Sequence, residues 1–249
     1  MFRLILISFF IAFMGAQIGC ASMKSPDTST AEGAFELGER FQKDERFEDA
    51  IVQFNQVKNK HPYSKLATEA ELHIADIHFE REDFIEAQNG YQSFKELHPT
   101  HPRIDYVTFR LGLSFYNQLP STIDRDLQLA SRAILYFDEV RTSYPGSQYA
   151  GEAKEYKEKA TAMLAEKENY IAHFYFIREF YGSALGRYEE LLKNFPSPSF
   201  APEALYGAAV SAYETKEFTK AKEYYDELIS QYPDSAEASK VRSKIGSEL

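Results

Sequence analysis

Cys20 is the only thiol in this 249-residue sequence. With no second cysteine an intramolecular disulfide is impossible in any compartment, and a Cys-rich metal site is excluded. A lone thiol can still act as a nucleophile, fill space, or accept a covalent group. The six histidines are His61, His73, His78, His98, His101 and His173. His73 and His78 are five apart, a poor spacing for one helix face, and no His-Glu-x-x-His pair occurs. None of the 12 glycines has the spacing of a phosphate-cradling loop, and no Gly-x-Ser-x-Gly elbow presents a hydrolase nucleophile. Asp124-Arg125-Asp126 is a compact charged cluster, readable as a cap that starts the following helix or as a contact loop. These residues predict no enzyme, no cofactor and no metal.

The position of Cys20 suggests what its thiol does. Arg3 precedes an apolar run that reaches Ile18, too short for a membrane span of roughly 20 residues. A basic start, a short apolar stretch and small residues at its end read as a secretory signal. Gln17-Ile18-Gly19-Cys20 resembles a bacterial lipobox, with Gln17 standing where Leu is usual. On this reading residues 1–19 are removed and Cys20 becomes a lipidated N-terminus. Residues 20–32, rich in Ser, Thr, Lys, Asp and Pro, form a flexible tether. Each buried acyl methylene contributes about 0.8 kcal/mol, so a multiply acylated cysteine anchors stably. Ala21-Ser22 follows the cysteine instead of Asp, which by resemblance to a common sorting rule favours the outer membrane. The alternative is a plain signal with an incidental cysteine.

Composition narrows the partners. The formal net charge is −10, so no basic stripe for nucleic acid is expected, nor broad attraction to anionic lipid. Aromatic residues make up 15% of the chain, which predicts that most of it folds.

The elements come from a repeat. An Ala is followed by an aromatic residue at +4, an apolar residue at +7, an aromatic or His at +11 and Pro at +12. The series starting at Ala50, Ala87, Ala133, Ala184 and Ala221 all obey it, ending at Pro62, Pro99, Pro145, Pro196 and Pro233. Offsets of four, seven and eleven share one helix face, and proline stops the helix. Small residues Gly38, Ala75, Ala172 and Ala209, each 12 before the Ala, allow a preceding helix to pack closely. Each unit is then two antiparallel helices with a short turn, for example 43–46 or 81–83. The third unit has its small residue, Gly112, 21 before Ala133, so nine residues are inserted around 117–126. The fourth has 14 extra residues before its first helix, and 147–180 is either one long helix or two broken near Lys167. The expected fold is all-α, a tetratricopeptide-repeat solenoid of about five helix-turn-helix repeats over 33–249, with a concave peptide-binding face.

Three segments carry a closer resemblance. They are His61-Pro62-Tyr63-Ser64, the run Leu97-His98-Pro99-Thr100-His101-Pro102 with Leu111-Gly112-Leu113-Ser114-Phe115-Tyr116, and Ile171-Ala172-His173-Phe174-Tyr175 with Arg178. With the lipobox and the repeats, these resemble the BamD (ComL-like) family of outer-membrane lipoproteins. The resemblance implies a non-enzymatic scaffold of the β-barrel assembly machinery, lipid-anchored in the outer membrane and facing the periplasm. Its implied partners are the POTRA domains of BamA, companion assembly lipoproteins, and unfolded β-barrel proteins recognised by a C-terminal aromatic segment. Within that frame Tyr63, Tyr106, Tyr116, Asp124, Arg125 and Asp126 are candidate contacts for the peptide, and Arg187 is the candidate contact for BamA. Another reading of the repeats is a periplasmic adaptor coordinating envelope constriction or peptidoglycan synthesis.

Overall fold

The structure, a computed structural model, describes residues 26–196 and 199–249, so Cys20 and the signal lie outside it. The described residues form eleven α-helices and no strands. They are α1 (Ala31–Lys43), α2 (Phe47–Lys60), α3 (Lys65–Glu80), α4 (Phe84–Leu97), α5 (Ile104–Asn117), α6 (Gln128–Ser143), α7 (Ala150–Phe176), α8 (Tyr181–Asn194), α9 (Ala201–Glu214), α10 (Phe218–Gln231) and α11 (Ala236–Ile245). The chain divides into two compact units, Met1–Ala70 and Glu71–Leu249, so the division falls within α3.

The five prolines end α2, α4, α6, α8 and α10 in one way. The residues before them are His61, His98, Tyr144, Phe195 and Tyr232, with φ from −135° to −128° and ψ from 51° to 58°. A proline ring crowds the residue before it out of the α region, which fixes this stop. Each of these residues still donates its N–H to the carbonyl four residues back, so the last turn closes.

Four of the five hairpin turns also share a geometry. Glu45, Glu82, Glu179 and Lys216 have φ of 58°, 63°, 61° and 67°. The next residue donates back across the turn, Arg46 to the Phe41 carbonyl and Asp83 to the His78 carbonyl, at 2.8 and 2.9 Å. This is the Schellman pattern, where glycine is usual because a side chain in the left-handed region costs about 1–2 kcal/mol. The third hairpin replaces the turn with residues 118–127. There Leu119, Ile123 and Leu127 pack with Ala130 of α6 and Ala160, Met163 and Leu164 of α7.

In the first unit, α1 and α2 close on Gly38. A Cβ there would lie 2.8 Å from the ring of Phe54, so only hydrogen fits. Thr30 caps α1, its hydroxyl accepting from the Gly33 N–H at 3.0 Å. In the second unit the same device recurs, with Gly112 of α5 against Phe137 of α6 at 2.8 Å. A Cβ at Gly207 of α9 would lie 2.2 Å from the Tyr188 ring of α8. Ala133, Phe137 and Val140 are fully buried, as their shared face requires.

The segment 147–180 contains a single 27-residue helix, α7, roughly 40 Å long at 1.5 Å per residue. α11 lies beyond the last repeated proline and buries Ala238, Val241 and Ile245 in a core shared with Leu205 and Ala209 of α9.

Candidate functional site

In the first unit, the His61–Ser64 turn after α2 is closed by the Ser64 N–H donating to the His61 carbonyl at 2.9 Å. Tyr63 sits at its tip, fully exposed. It borders a shallow groove of about 550 Å³ whose other walls include Thr30, Lys60 and His61. A solvated phenol ring of this kind gains hydrophobic stabilisation only when a partner covers it.

In the second unit, Tyr106 and Tyr116 of α5 are half-buried. Tyr106 donates its hydroxyl to the Asp76 carboxylate at 2.7 Å and packs its ring 5.5 Å from Tyr149. Tyr116 packs edge-on against Tyr156 of α7, 5.0 Å between centroids. Their rings thus serve packing as well as any contact. The sequence pattern did not single out the group around Tyr106. Asp76 is buried and also accepts from the Tyr91 hydroxyl at 2.6 Å. The Arg110 Nε donates to the Tyr91 hydroxyl at 3.2 Å, and its guanidinium covers the Phe79 ring at 3.6 Å. Arg103 approaches Asp76 at 3.8 Å. Burial, then the neighbouring Asp76 charge, push the Tyr91 and Tyr106 hydroxyls well above the ordinary phenol range. The available signal was Tyr91 itself: the first and third repeats carry Phe54 and Phe137 at this position, and a buried hydroxyl in place of Phe demands an acceptor, but Tyr188 and Tyr225 share the position and weaken the signal.

The Asp124–Asp126 cluster lies exposed on the inserted loop. Asp126 accepts from the Gln128 N–H at 2.9 Å, which gives it the helix-starting role, while the Arg125 carbonyl accepts from Lys167 of α7. The hydrogen bond from Thr122 holds the Asp124 carboxyl below its usual range, so this exposed acid stays ionised. The loop is therefore pinned at both ends of the cluster with its acids facing water.

Arg187 of α8 bridges two carboxylates, Glu168 of α7 at 3.1 Å and Glu190 at 3.2 Å. Elsewhere on this part of the chain, Tyr170 and Phe174 of α7, Ile177 just after it and Phe180 at the turn are apolar side chains each between 40% and 59% exposed. Offsets of four and seven place the first three on one helix face, a stripe the repeat pattern does not use. Among the described residues no group of acids, histidines and cysteines could hold a metal ion, and no helix is long and apolar enough to cross a membrane.

Comparison with known proteins adds three findings. A family model described as "YfiO: Outer membrane lipoprotein" matches residues 27–206, and a tetratricopeptide-repeat model matches residues 203–235. The outer membrane protein assembly factor BamD of Rickettsia prowazekii is 27% identical over 224 residues, 87% of each chain. BamD of Caulobacter vibrioides is 26% identical over 67% of this chain and 54% of its own length. BamD of Vibrio cholerae is 25% identical over 74% of this chain and 80% of its own. Among solved structures, the TPR2AB domain complex of yeast Sti1 aligns over 89% of this chain and 86% of its own at 15% identity, with a TM-score of 0.47.

Proposed function

The chain belongs to the YfiO family of outer membrane lipoproteins, and from that premise we propose that it is an outer-membrane protein assembly factor, a scaffold whose work is binding and not catalysis. The observation that carries this is the family match over residues 27–206, supported by relatives named as BamD assembly factors. In this reading the mature chain is held at the outer membrane by lipid on Cys20, faces the periplasm, and docks the POTRA domains of a BamA-like barrel through the surface around Arg187. Unfolded barrel proteins are received through Tyr63, the edges of Tyr106 and Tyr116, and the Asp124–Asp126 loop. Companion assembly lipoproteins complete the complex.

Physical features support the two proposed contact surfaces. Tyr63 offers an exposed ring that an extended peptide could cover. The pinned loop presents exposed acids with little ordering left to lose, which lowers the entropic cost of contact. Arg187 is half-exposed and held between Glu168 and Glu190, so its guanidinium is oriented before a partner arrives.

Affinity purification of the tagged, membrane-extracted protein tests the reading. Stoichiometric recovery of a BamA-like barrel with POTRA domains is expected, and Arg187→Glu should reduce that recovery while helical content stays unchanged. Recovery of peptidoglycan synthases or constriction proteins in its place would overturn the assembly role and leave a periplasmic adaptor.

A further inference from the structure

We propose that the gap between the end of α6, the first turns of α7 and the start of the α8–α9 connection binds a peptide segment that sets a large apolar side chain beside a carboxylate. The site is separate from Tyr63, the inserted loop and Arg187, and does not depend on the assembly role.

The gap follows from helix lengths. α7 starts 22 residues before its small residue Ala172 (172 minus 150), whereas α3 starts 10 before Ala75 (75 minus 65) and α9 starts 8 before Ala209 (209 minus 201). α8 has only 14 residues, too few to run back along the whole of α7. The early turns of α7 therefore face a cavity of about 510 Å³, a volume typical of pockets that enclose small ligands or side chains.

Its walls have two characters. Ala162, Ala165, Phe195, Pro196 and Phe200 form an apolar side. Arg141, Lys154 and Lys157 form a basic side in a protein of net charge −10. Those three cations share two acids. Asp138 takes Lys157 at 2.7 Å and Arg141 at 3.3 Å, while Glu158 lies 3.8 Å from Lys154. Among the described residues that line the gap and their paired acids, one positive charge is thus left over, which a single incoming carboxylate would balance. Asn194 and Thr161 also line the gap and can hydrogen-bond a peptide backbone. An apolar wall, one unit of positive charge and backbone partners together describe an acidic-apolar peptide.

The test uses the full mature protein in detergent and two rhodamine-labelled peptides, one alternating Phe and Asp and one alternating Phe and Asn, read by fluorescence anisotropy. The Asp peptide should bind about tenfold more tightly than the Asn peptide. Lys154→Glu, at an exposed position, should remove that preference, and Ala162→Phe, which fills the gap, should weaken the Asp peptide about tenfold. Circular dichroism checks that both variants keep their helices, and Lys154→Gln stands in for Lys154→Glu if that variant unfolds. Equal binding of the two peptides overturns the proposal, as does wild-type affinity in folded variants. So does binding to phosphatidylglycerol vesicles that Lys154→Glu abolishes without any preference between peptides. Recovery of a barrel partner by Lys154→Glu at wild-type levels leaves the assembly role intact whichever way the peptide result falls.

Discussion

Asp76 is the only buried carboxylate among the described residues, and it holds α3, α4 and α5 together through Tyr91 and Tyr106. Truncating it leaves two hydroxyls without their acceptor, so Asp76→Ala should cost about 2–3 kcal/mol in urea unfolding, while Tyr91→Phe should cost about 1 kcal/mol. The same group sets an alkaline limit. Burial, with the Asp76 charge next, raises both tyrosines above the ordinary value of 10.0. In the folded protein they keep their protons where the unfolded chain loses them, so their contribution is complete below about pH 10 and lost as pH rises beyond it. Stability measured from pH 8 to 11 should fall on the alkaline side, and Tyr91→Phe should flatten that fall. An unchanged slope in the variant would show that Tyr91 does not set it. The site residues were only partly legible in sequence. Tyr63 stood out because it lies outside the repeat, and it is exposed. Tyr106 lies outside it too, yet its surroundings come from residues 30 positions away, which no local pattern reports.

Helices and their ends were far more legible, because proline stops a helix through covalent geometry that tertiary packing cannot override, and small residues at a fixed offset mark where two helices must approach closely. All five stops fall where proline requires. The left-handed turns were not legible, since they carry Glu or Lys where glycine would have announced them. That mismatch makes a prediction: Glu82→Gly should stabilise the protein by about 1 kcal/mol, relief of strain being partly offset by the freer unfolded chain. Two helix glycines give a matched contrast. A Cβ at Gly186 meets nothing within 4 Å, whereas one at Gly207 collides with the Tyr188 ring. Gly186→Ala should therefore raise stability by up to about 1 kcal/mol, and Gly207→Ala should lower it by about 1–3 kcal/mol, both read from thermal unfolding. Gly186 tolerates this change only if its bare backbone serves no partner, so lost barrel recovery in Gly186→Ala would mark a contact there.

For the whole molecule, family membership says more than shape does, because helix pairs of this kind host many unrelated roles. The proposed anchor is the clearest case: with residues 1–20 replaced by a cleavable signal that carries no lipobox cysteine, the protein should move from the membrane to the soluble fraction, followed by immunoblotting of each. The proposed partner contacts accordingly draw on what the repeats do not share, among them Tyr63, the loop before α6, the early turns of α7 and Arg187. Those early turns also obey an arithmetic of rotation. The prolines ending the third and fourth repeats are 51 apart, against 37 for the first and last intervals, a difference of 14 residues (51 minus 37). At 3.6 residues per turn, 14 residues advance about 40° short of four whole revolutions. An unbroken helix can lengthen by such a number and still aim its downstream side chains at the old core, whereas gain or loss of one residue would swing Lys154 and Lys157 by about 100° relative to Ala165 and Ala172. Evolution of this segment should therefore proceed in near-integral revolutions, with natural length variants clustering at 7, 11 or 14 residues in relatives whose helix runs through, and the intermediate lengths confined to relatives in which it breaks.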